Sequence, residues 1–451
     1  MGIDFSNVDL SAIPIVDEPK KSSKNTYTGY RNNKNSNGYS KANKEIPKDA
    51  KDNLSVYDVT LICEGPLYIG SGSELTKKEY MIDTDNSNKP IAVRIPSFEK
   101  MYGSLIDKGL LEEYEKFMCD NDCAETLGEW LSAIDSISSQ EIESWDNRVL
   151  RGIGDAISEG KESFAINTFM RDGMEAPYVP GSSLKGMLRT ILLGYYVSNN
   201  KDNLKWERQQ IKDVCKEFKN KSINAVDALK KINSVADSVE KKCFVETWKE
   251  DGKPVEINYM SGLKISDSKP LSNLDMVLCQ KLDQDRTGKE NYINILRESV
   301  MPGTNISFTM TLDSNVINSK FLSKFQCNDK TSFVKLLSNA IKANSSAYYE
   351  NFLKNFGNSG AAVPGESTVW LGGGVGFVSK TVVYSMFSHN DAIEIINAIF
   401  DMDEQSKKNS KKAITHKEDS LVAPKMVKLT KYNNNLKEFG RCKIQIKPRE
   451  L

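Results

Sequence analysis

One short stretch of this sequence carries the residue types that bind phosphate at the start of a helix. Residues 178–189 read YVPGSSLKGMLR, with Lys185 and Arg189 four residues apart. A cation in the first turn opposes the helix dipole, and a glycine at position 186 weakens the helix interior. A phosphate would accept from free backbone N–H groups and neutralise both cations. The stretch predicts an anion site; an ordinary capped helix with two solvated cations is the alternative.

A strand, a tight turn and a helix must position these groups. Pro180-Gly181 is typical of a turn, and the hydroxyl of Ser182 or Ser183 can cap the helix by accepting from its free N–H groups. Gly186 is expected to let another backbone approach the helix closely. Apolar residues at helical spacing indicate the helix itself: Leu184, Met187, Leu188, Ile191 and Leu192.

A second stretch, residues 371–381, is rich in glycine and reads LGGGVGFVSKT. A P-loop requires a glycine directly before its Lys-Ser/Thr pair, but Ser379 precedes Lys380 here. The third glycine of a dinucleotide-binding fingerprint is also absent. We expect the backbone N–H groups of this loop to form a cradle for phosphate, with Lys380 nearby. A flexible turn is the alternative that the pattern leaves open.

Together these stretches resemble the RAMP superfamily, the RNA-binding subunits of CRISPR effector complexes. The first resembles the superfamily signature, the second its late glycine-rich loop, and residues 67–72, LYIGSG, its opening strand and loop. The resemblance runs from about Leu54 to the last residue. Motif order and chain length are most similar to the family that forms the fifth subunit of the type III-A Csm complex.

The resemblance implies a non-catalytic subunit that binds the 3′ side of CRISPR RNA, caps the filament end away from the 5′ tag and supports RNA maturation. Its implied partners are CRISPR RNA, other Csm subunits and host nucleases during trimming, with no cofactor and no metal. The residues implied for RNA contact are Ser182, Ser183, Lys185, Arg189, Gly372, Gly373, Gly374, Gly376 and Lys380. An RNA endonuclease of the same superfamily and an assembly factor that contacts protein alone are the alternatives.

Composition limits the classes of partner. The chain has 451 residues, and its 61 Lys and Arg balance its 61 Asp and Glu. A free nucleic-acid binder is usually basic, so a neutral chain must concentrate its cations locally or meet RNA alongside other subunits. The sequence has no apolar run long enough for a bilayer and no signal-peptide pattern, which predicts a cytoplasmic protein.

Cysteine and histidine give little support for catalysis or metal binding. The 8 cysteines include no CxxC pair, so reduced, partly buried thiols are expected rather than a zinc site. The 2 histidines, His389 and His416, lie in a helix-cap sequence and a lysine-rich loop. A mechanism that needs a histidine pair for general acid–base catalysis is therefore disfavoured.

We predict an α+β chain of two ferredoxin-like (RRM-like) units after a tail. Residues 1–53 form a basic tail that is rich in Asn, Ser and Gly and is expected to be disordered. Residues 54–260 form the first unit, in which two apolar stripes at about 200–242 predict an inserted helical hairpin. Residues 261–451 form the second unit, which carries the glycine-rich loop.

Overall fold

The structure is a computed structural model, and it describes residues 53–86, 90–151, 165–250, 253–326, 332–357, 362–407 and 419–449. The strands are β1 (Leu54–Cys63), β2 (Gly70–Leu75), β3 (Met81–Thr84), β4 (Pro90–Pro96), β5 (Asp146–Arg151), β6 (Ala165–Phe169), β7 (Val245–Glu250), β8 (Lys253–Asn258), β9 (Leu263–Ile265), β10 (Met276–Asp285), β11 (Glu290–Val300), β12 (Asn305–Asp313), β13 (Thr368–Trp370), β14 (Met426–Tyr432), β15 (Asn435–Glu438) and β16 (Arg441–Pro448). The helices are α1 (Phe98–Asp107), α2 (Leu111–Cys119), α3 (Leu127–Ser132), α4 (Ser139–Ser144), α5 (Gly181–Asn199), α6 (Lys205–Lys219), α7 (Ala225–Phe244), α8 (Ser319–Ser323), α9 (Phe333–Asn351), α10 (Val383–Met386) and α11 (His389–Ser406).

The first of two large sheets places β1 at its centre. Its 5 strands lie in the order β13-β16-β1-β12-β9, and neighbouring strands are antiparallel. With α5 between β1 and β9, and α9 between β12 and β16, the chain follows a β-α-β-β-α-β path. That path is the ferredoxin-like motif, and here its strands come from both ends of the described chain.

Alternating side chains decide which face of this sheet packs against helices. In β12, Ile306, Phe308 and Met310 are buried, whereas the intervening Ser307 and Thr309 are partly exposed. Successive side chains of a strand point to opposite faces, so one face joins the core and the other stays polar. The buried face shares one apolar cluster with residues of α5 and α9.

The second sheet has 9 strands, in the order β2-β6-β11-β10-β5-β4-β3, with β14 paired to β10 and β15 paired to β14. Its centre is the antiparallel pair β10 and β11, and β10 is buried along nearly its whole length. β6 runs parallel to β11, and β2 pairs with β6. These pairings bring the loop after β1 next to the segment that leads into α5.

The mixed α+β class is confirmed, but two separate ferredoxin-like units are not. β1, which precedes residue 260, pairs with β12 and β16, which follow it. In the second sheet, β6 likewise pairs with β11. Strands from both sides of the expected boundary share both sheets, because a strand need not pair with its neighbours in sequence.

Helices α6 and α7 occupy the stretch in which two apolar stripes predicted a helical hairpin. Ile211 and Val214 of α6, and Val235 and Val239 of α7, are buried in the same apolar cluster as α5. α7 also contacts α11. The hairpin is therefore packed onto the body of the protein. Helices α1 to α4 have an apolar core of their own.

The predicted basic tail lies outside the described residues, which begin at residue 53. A membrane span is not found among the described helices, since none of them is both long enough and apolar enough.

Candidate functional site

Backbone hydrogen bonds join the three motif segments side by side. The N–H of Gly373, in the glycine-rich loop, donates to the carbonyl of Tyr68 over 2.8 Å. The next carbonyl, that of Ile69, accepts from Met170 over 2.9 Å, and the Met170 carbonyl accepts from Tyr178 over 3.1 Å. Residues far apart in sequence thus meet on a common framework: the loop after β1 lies between the glycine-rich loop and the approach to α5.

The start of α5 is capped by a carboxylate, not by a serine. The cap residue is Pro180, so the expectation that Ser182 or Ser183 caps the helix is wrong. The N–H of Gly181 donates to Oδ1 of Asp267 over 2.8 Å, and the N–H of Ser183 donates to the Pro180 carbonyl over 3.0 Å. These bonds use donors that a phosphate would otherwise need.

Close packing explains the glycine at the start of α5. A Cβ on Gly181 would lie 2.4 Å from the carbonyl oxygens of Ile265 and Ser266. The helix therefore begins directly against the end of β9. Gly186 behaves differently, because a Cβ there would meet no atom within 4 Å. The expected close approach of another backbone to Gly186 is thus not present among the described residues.

Arg189 is held by a neighbouring helix. Its guanidinium forms an ion pair with Glu240 of α7 and lies 5.7 Å from the ring centroid of Phe244. Burial lowers the pKa of Arg189 from its ordinary value. The side chain is still 38% exposed. Arg189 therefore has its charge balanced by protein, with one side open to solvent.

Lys185 carries an uncompensated charge. It is partly buried, and among the described residues it makes no ion pair and no hydrogen bond through its ammonium. Burial lowers the pKa of Lys185, and repulsion from Arg189 and Lys264 lowers it further. Because α5 begins at Gly181, Lys185 lies just past the first turn. An anion beside Lys185 would relieve this repulsion.

The glycine-rich loop is shaped by packing. Gly372 and Gly374 have φ of 90° and 84°, a region that suits glycine. A Cβ on Gly373 would lie 2.6 Å from the ring of Tyr68, and one on Gly374 would lie 2.6 Å from Nη1 of Arg297. With the Gly373 N–H also bound to Tyr68, the described loop is a tight packing turn. Gly376, at φ 83°, has more room.

Arg297 of β11 is buried beneath this loop. Its guanidinium lies 5.1 Å from the ring centroid of Tyr68 and 5.4 Å from that of Phe439. These cation–π contacts hold the loop against the second sheet. Lys380 ends a short 3-10 turn and is exposed, so it lies at the outer rim of the same loop.

Glu298 is the fully buried neighbour of Arg297. It forms ion pairs with Arg171 and, at 3.9 Å, with Arg148, and it accepts from the N–H of Phe169 over 2.9 Å. Burial lowers the pKa of Arg148 from its ordinary value. The only sequence signal for this cluster was a charged pair inside an apolar strand. The cluster fixes β6 and the segment that leads to α5.

The described histidine and cysteine side chains provide no further candidate site. His389 is hydrogen-bonded to the carbonyl of Leu421 at 3.1 Å and lies 3.4 Å from Oδ1 of Asn351. His416 lies outside the described residues. The described cysteines form no disulfide, and Cys63 and Cys442 are buried. Within the described ranges, no group of three or more His, Cys, Asp or Glu residues is arranged to hold a metal ion.

Comparison with known proteins gives matches over most of the chain. The sequence model of the RAMP superfamily matches residues 60–379 of this chain. A Mycobacterium tuberculosis protein named CRISPR system Cms protein Csm5 is 26% identical over 415 residues, 88% of this chain and 99% of the relative. Its Streptococcus thermophilus namesake is 26% identical over 350 residues, 74% of this chain and 81% of the relative.

Solved structures share the fold. A chain of a cryo-EM structure of a Csm-crRNA-target RNA ternary complex aligns with a TM-score of 0.55 at 16% identity, covering 86% of this chain and 100% of that one. The crystal structure of T. onnurineus Csm5 aligns with a TM-score of 0.50 at 18% identity, covering 74% of this chain and 96% of that one.

Proposed function

This chain belongs to the RAMP superfamily, and from that membership we propose that it is the Csm5-type subunit of a type III-A CRISPR Csm effector complex. In that complex it binds the 3′ side of CRISPR RNA and caps the filament. Similarity to relatives named Csm5 along most of their length supports the place in the complex. A neighbour in a Csm-crRNA-target RNA complex supports RNA and other Csm subunits as its partners.

The observation that carries RNA binding is the uncompensated charge of Lys185 near the start of α5, the signature helix. Lys185 has no acidic partner among the described residues and stands beside Arg189 and Lys264. A cluster of like charges costs stability unless an anion neutralises it. RNA supplies a phosphate at every nucleotide, so a backbone contact here would be tolerant of sequence.

The contact is made by side chains rather than by the helix terminus. Asp267 already accepts from the first N–H of α5 and would repel a phosphate placed there. Lys185 is therefore the principal phosphate contact, with Arg189 as a second. Ser182 is exposed nearby and is assigned a hydroxyl contact. We assign a supporting role on the same surface to Ser183, the loop glycines and Lys380, which shape it or lie at its border.

The subunit supports maturation without cutting RNA itself. It holds the 3′ side of CRISPR RNA, and other nucleases, including those of the host, trim what it leaves uncovered. Two observations support a subunit that does not cut RNA: histidine is scarce, and the ring of His389 is hydrogen-bonded to the carbonyl of Leu421. A cleavage assay of CRISPR RNA precursor, with and without divalent metal, tests it. Cleavage that a single carboxylate substitution abolishes would favour the endonuclease alternative.

The binding proposal is tested with Lys185→Glu in the assembled complex. We expect weaker CRISPR RNA binding, a salt dependence of affinity flatter by roughly 0.7 slope units, and altered RNA 3′ ends. Lys335→Glu, near the start of α9, is the matched control and should leave all three unchanged. A complex that assembles with Lys185→Glu and keeps normal RNA affinity and 3′ ends would overturn the proposal in favour of a protein-only assembly factor.

A further inference from the structure

The five-stranded sheet presents one polar face away from its helices. Asp58 and Thr60 of β1, and Ser307, Thr309 and Thr311 of β12, alternate with the buried residues of those strands and remain exposed or partly exposed. The register places Thr309 opposite Asp58 and Ser307 opposite Thr60. Hydroxyl groups therefore stand side by side along the middle of this face, which we call the open sheet face.

Lysines border the hydroxyl groups on both sides. Lys264 of β9 lies opposite Thr311, Lys447 of β16 lies opposite Asp58, and Lys443 lies opposite Ile62. The ammonium groups of these three lysines are exposed and make no ion pair among the described residues. Neighbouring strands are about 4.8 Å apart, so the four strands β16, β1, β12 and β9 give a cationic surface roughly 14 Å across.

Two acids lie in these rows: Asp58, which is paired with an arginine, and Asp313 at the end of β12, whose Oδ1 accepts from the N–H of Asn315 over 3.0 Å. Nε of Arg449 donates to Oδ1 of Asp58 over 2.9 Å, and Nη2 of Arg449 also donates to Thr309 over 3.1 Å. The hydrogen bond from Arg449, helped by the charge of its guanidinium, holds the pKa of Asp58 below its ordinary value. Among the described residues neither acid forms an ion pair with a lysine of this face, so these lysines remain available to a ligand although the whole chain has no net charge.

The open sheet face is continuous with the signature helix. Gly181 packs against the carbonyls of Ile265 and Ser266, the residues that directly follow Lys264. Lys185, one turn further along α5, therefore stands beside the edge strand that carries Lys264. A polyanion that contacts Lys185 reaches the open sheet face by crossing the edge at β9.

Resting on the proposed function, we propose that the open sheet face binds the sugar–phosphate backbone of RNA, in a track that begins at Lys185 and continues through Lys264 to Lys447 and Lys443. Ammonium groups contact phosphates, and the row of Ser307, Thr309 and Thr311 bonds to phosphate or 2′-hydroxyl oxygens. The register places Trp370 of β13 on this face, but Trp370 is buried, so it is not available to stack on bases as the aromatic residues of an RNA-recognition-motif sheet are.

Charge favours RNA over a protein partner as the occupant. Four lysines without acidic partners match the one negative charge that each nucleotide brings, and hydroxyl groups suit a ligand rich in oxygen acceptors. An acidic protein surface would be drawn to the same charges, but it would not give affinity a salt dependence set by RNA counterions.

The test compares Lys443→Gln/Lys447→Gln with a control pair, Lys216→Gln/Lys335→Gln, in the assembled complex. Both pairs remove two exposed lysines. With CRISPR RNA as the probe, we expect the sheet pair to flatten the salt dependence of affinity by roughly 0.7 slope units per lost contact and to weaken binding at low salt. The control pair should behave like wild type. Lys264→Gln should add to the effect of the sheet pair.

The outcomes separate this inference from the proposed function. If Lys185→Glu loses RNA affinity while the sheet pair does not, RNA binds at the signature helix alone and the inference is wrong. If the sheet pair keeps RNA affinity but releases a neighbouring subunit, the face is a protein interface and the inference is also wrong. Wild-type complex that fails to bind CRISPR RNA would instead overturn the proposed function.

Discussion

Arg189 of the signature helix and Glu240 of the helical hairpin form an ion pair that ties α5 to α7. The pair is asymmetric in burial, because the side chain of Glu240 is 17% exposed and that of Arg189 is 38% exposed. An RNA phosphate that contacts Arg189 must therefore compete with a carboxylate that the fold holds in place. The hairpin is in this way part of the candidate site and not only its neighbour.

Glu240→Gln should raise RNA affinity, because it removes the carboxylate that competes for Arg189. Its cost in stability should be at most about 1 kcal/mol, since Arg189 is partly solvated. Affinity measured against salt concentration checks the first effect, and thermal unfolding checks the second. Glu217→Gln breaks the exposed pair of Glu217 with Lys231 in the same hairpin and serves as the control. An unchanged affinity in Glu240→Gln would remove Arg189 from the RNA contacts.

RNA binding should weaken in alkaline solution because Lys185 titrates below its ordinary pKa of 10.5. The depressed pKa means that the charged form, which phosphate favours, is lost as pH rises through the lowered value. Lys185→Arg keeps its charge across this range. We therefore expect a shallower alkaline loss of RNA affinity in Lys185→Arg than in wild type, measured at constant ionic strength. Identical pH profiles would contradict a phosphate contact at Lys185.

Gly186→Ala should stabilise the protein. The position is inside α5, a Cβ there meets nothing within 4 Å, and glycine costs a helix about 1 kcal/mol relative to alanine. Gly194→Ala on the same helix is the control, since its Cβ would contact Oγ of Ser385 at 3.4 Å and gain less. Thermal unfolding gives the stability. A stabilised Gly186→Ala variant with reduced RNA affinity would indicate that RNA needs the space beside Gly186.

Two loop glycines should differ in how much they matter for stability. Gly374→Ala puts alanine on a backbone whose φ of 84° lies in the left-handed region. Its Cβ would also lie 2.6 Å from the buried guanidinium of Arg297. Gly376→Ala meets only Cγ of Lys428, at 3.6 Å, and has backbone strain of about 1 kcal/mol. We expect a clearly larger fall in melting temperature for Gly374→Ala. Equal losses would mean that backbone conformation, and not packing on Arg297, requires the glycines.

Glu298→Gln should be among the most damaging single substitutions. It leaves Arg148 and Arg171 buried without their shared carboxylate, a change that typically costs about 3–5 kcal/mol. Glu175→Gln removes a 61% exposed partner of Arg148 and should cost less than about 1 kcal/mol. Urea unfolding of both variants checks the difference. A mild effect of Glu298→Gln would show that the two guanidinium groups find other partners.

Local sequence pattern predicted the structural features that depend on residues close together in the chain. The two apolar stripes at about 200–242 correspond to α6 and α7, and the apolar spacing after Gly181 corresponds to α5. The position of Lys185 near the start of a helix followed from the turn before it. These features are set by side chains that lie within one or two helical turns of one another. Hydrophobic periodicity describes the sequence over that same short distance.

The remainder depends on contacts between distant segments. Asp267 caps α5 because the end of β9 lies against it, and Glu240 reaches Arg189 because α7 folds back onto α5. Neither contact leaves a periodic signal. The division into two successive units is not confirmed for the same reason, because local pattern does not report that β1 pairs with β12 and β16.

The pairing of β1 with β16 also has a consequence for folding during synthesis. Cys63 at the end of β1 lies opposite Cys442 of β16, and nearly the whole described chain separates them. β1 emerges from the ribosome early, yet one of its two edges stays unpaired until β16 has been made. High contact order of this kind slows folding and leaves a strand edge open to other chains. A chaperone, or assembly onto a neighbouring subunit while translation continues, would be most useful in that interval.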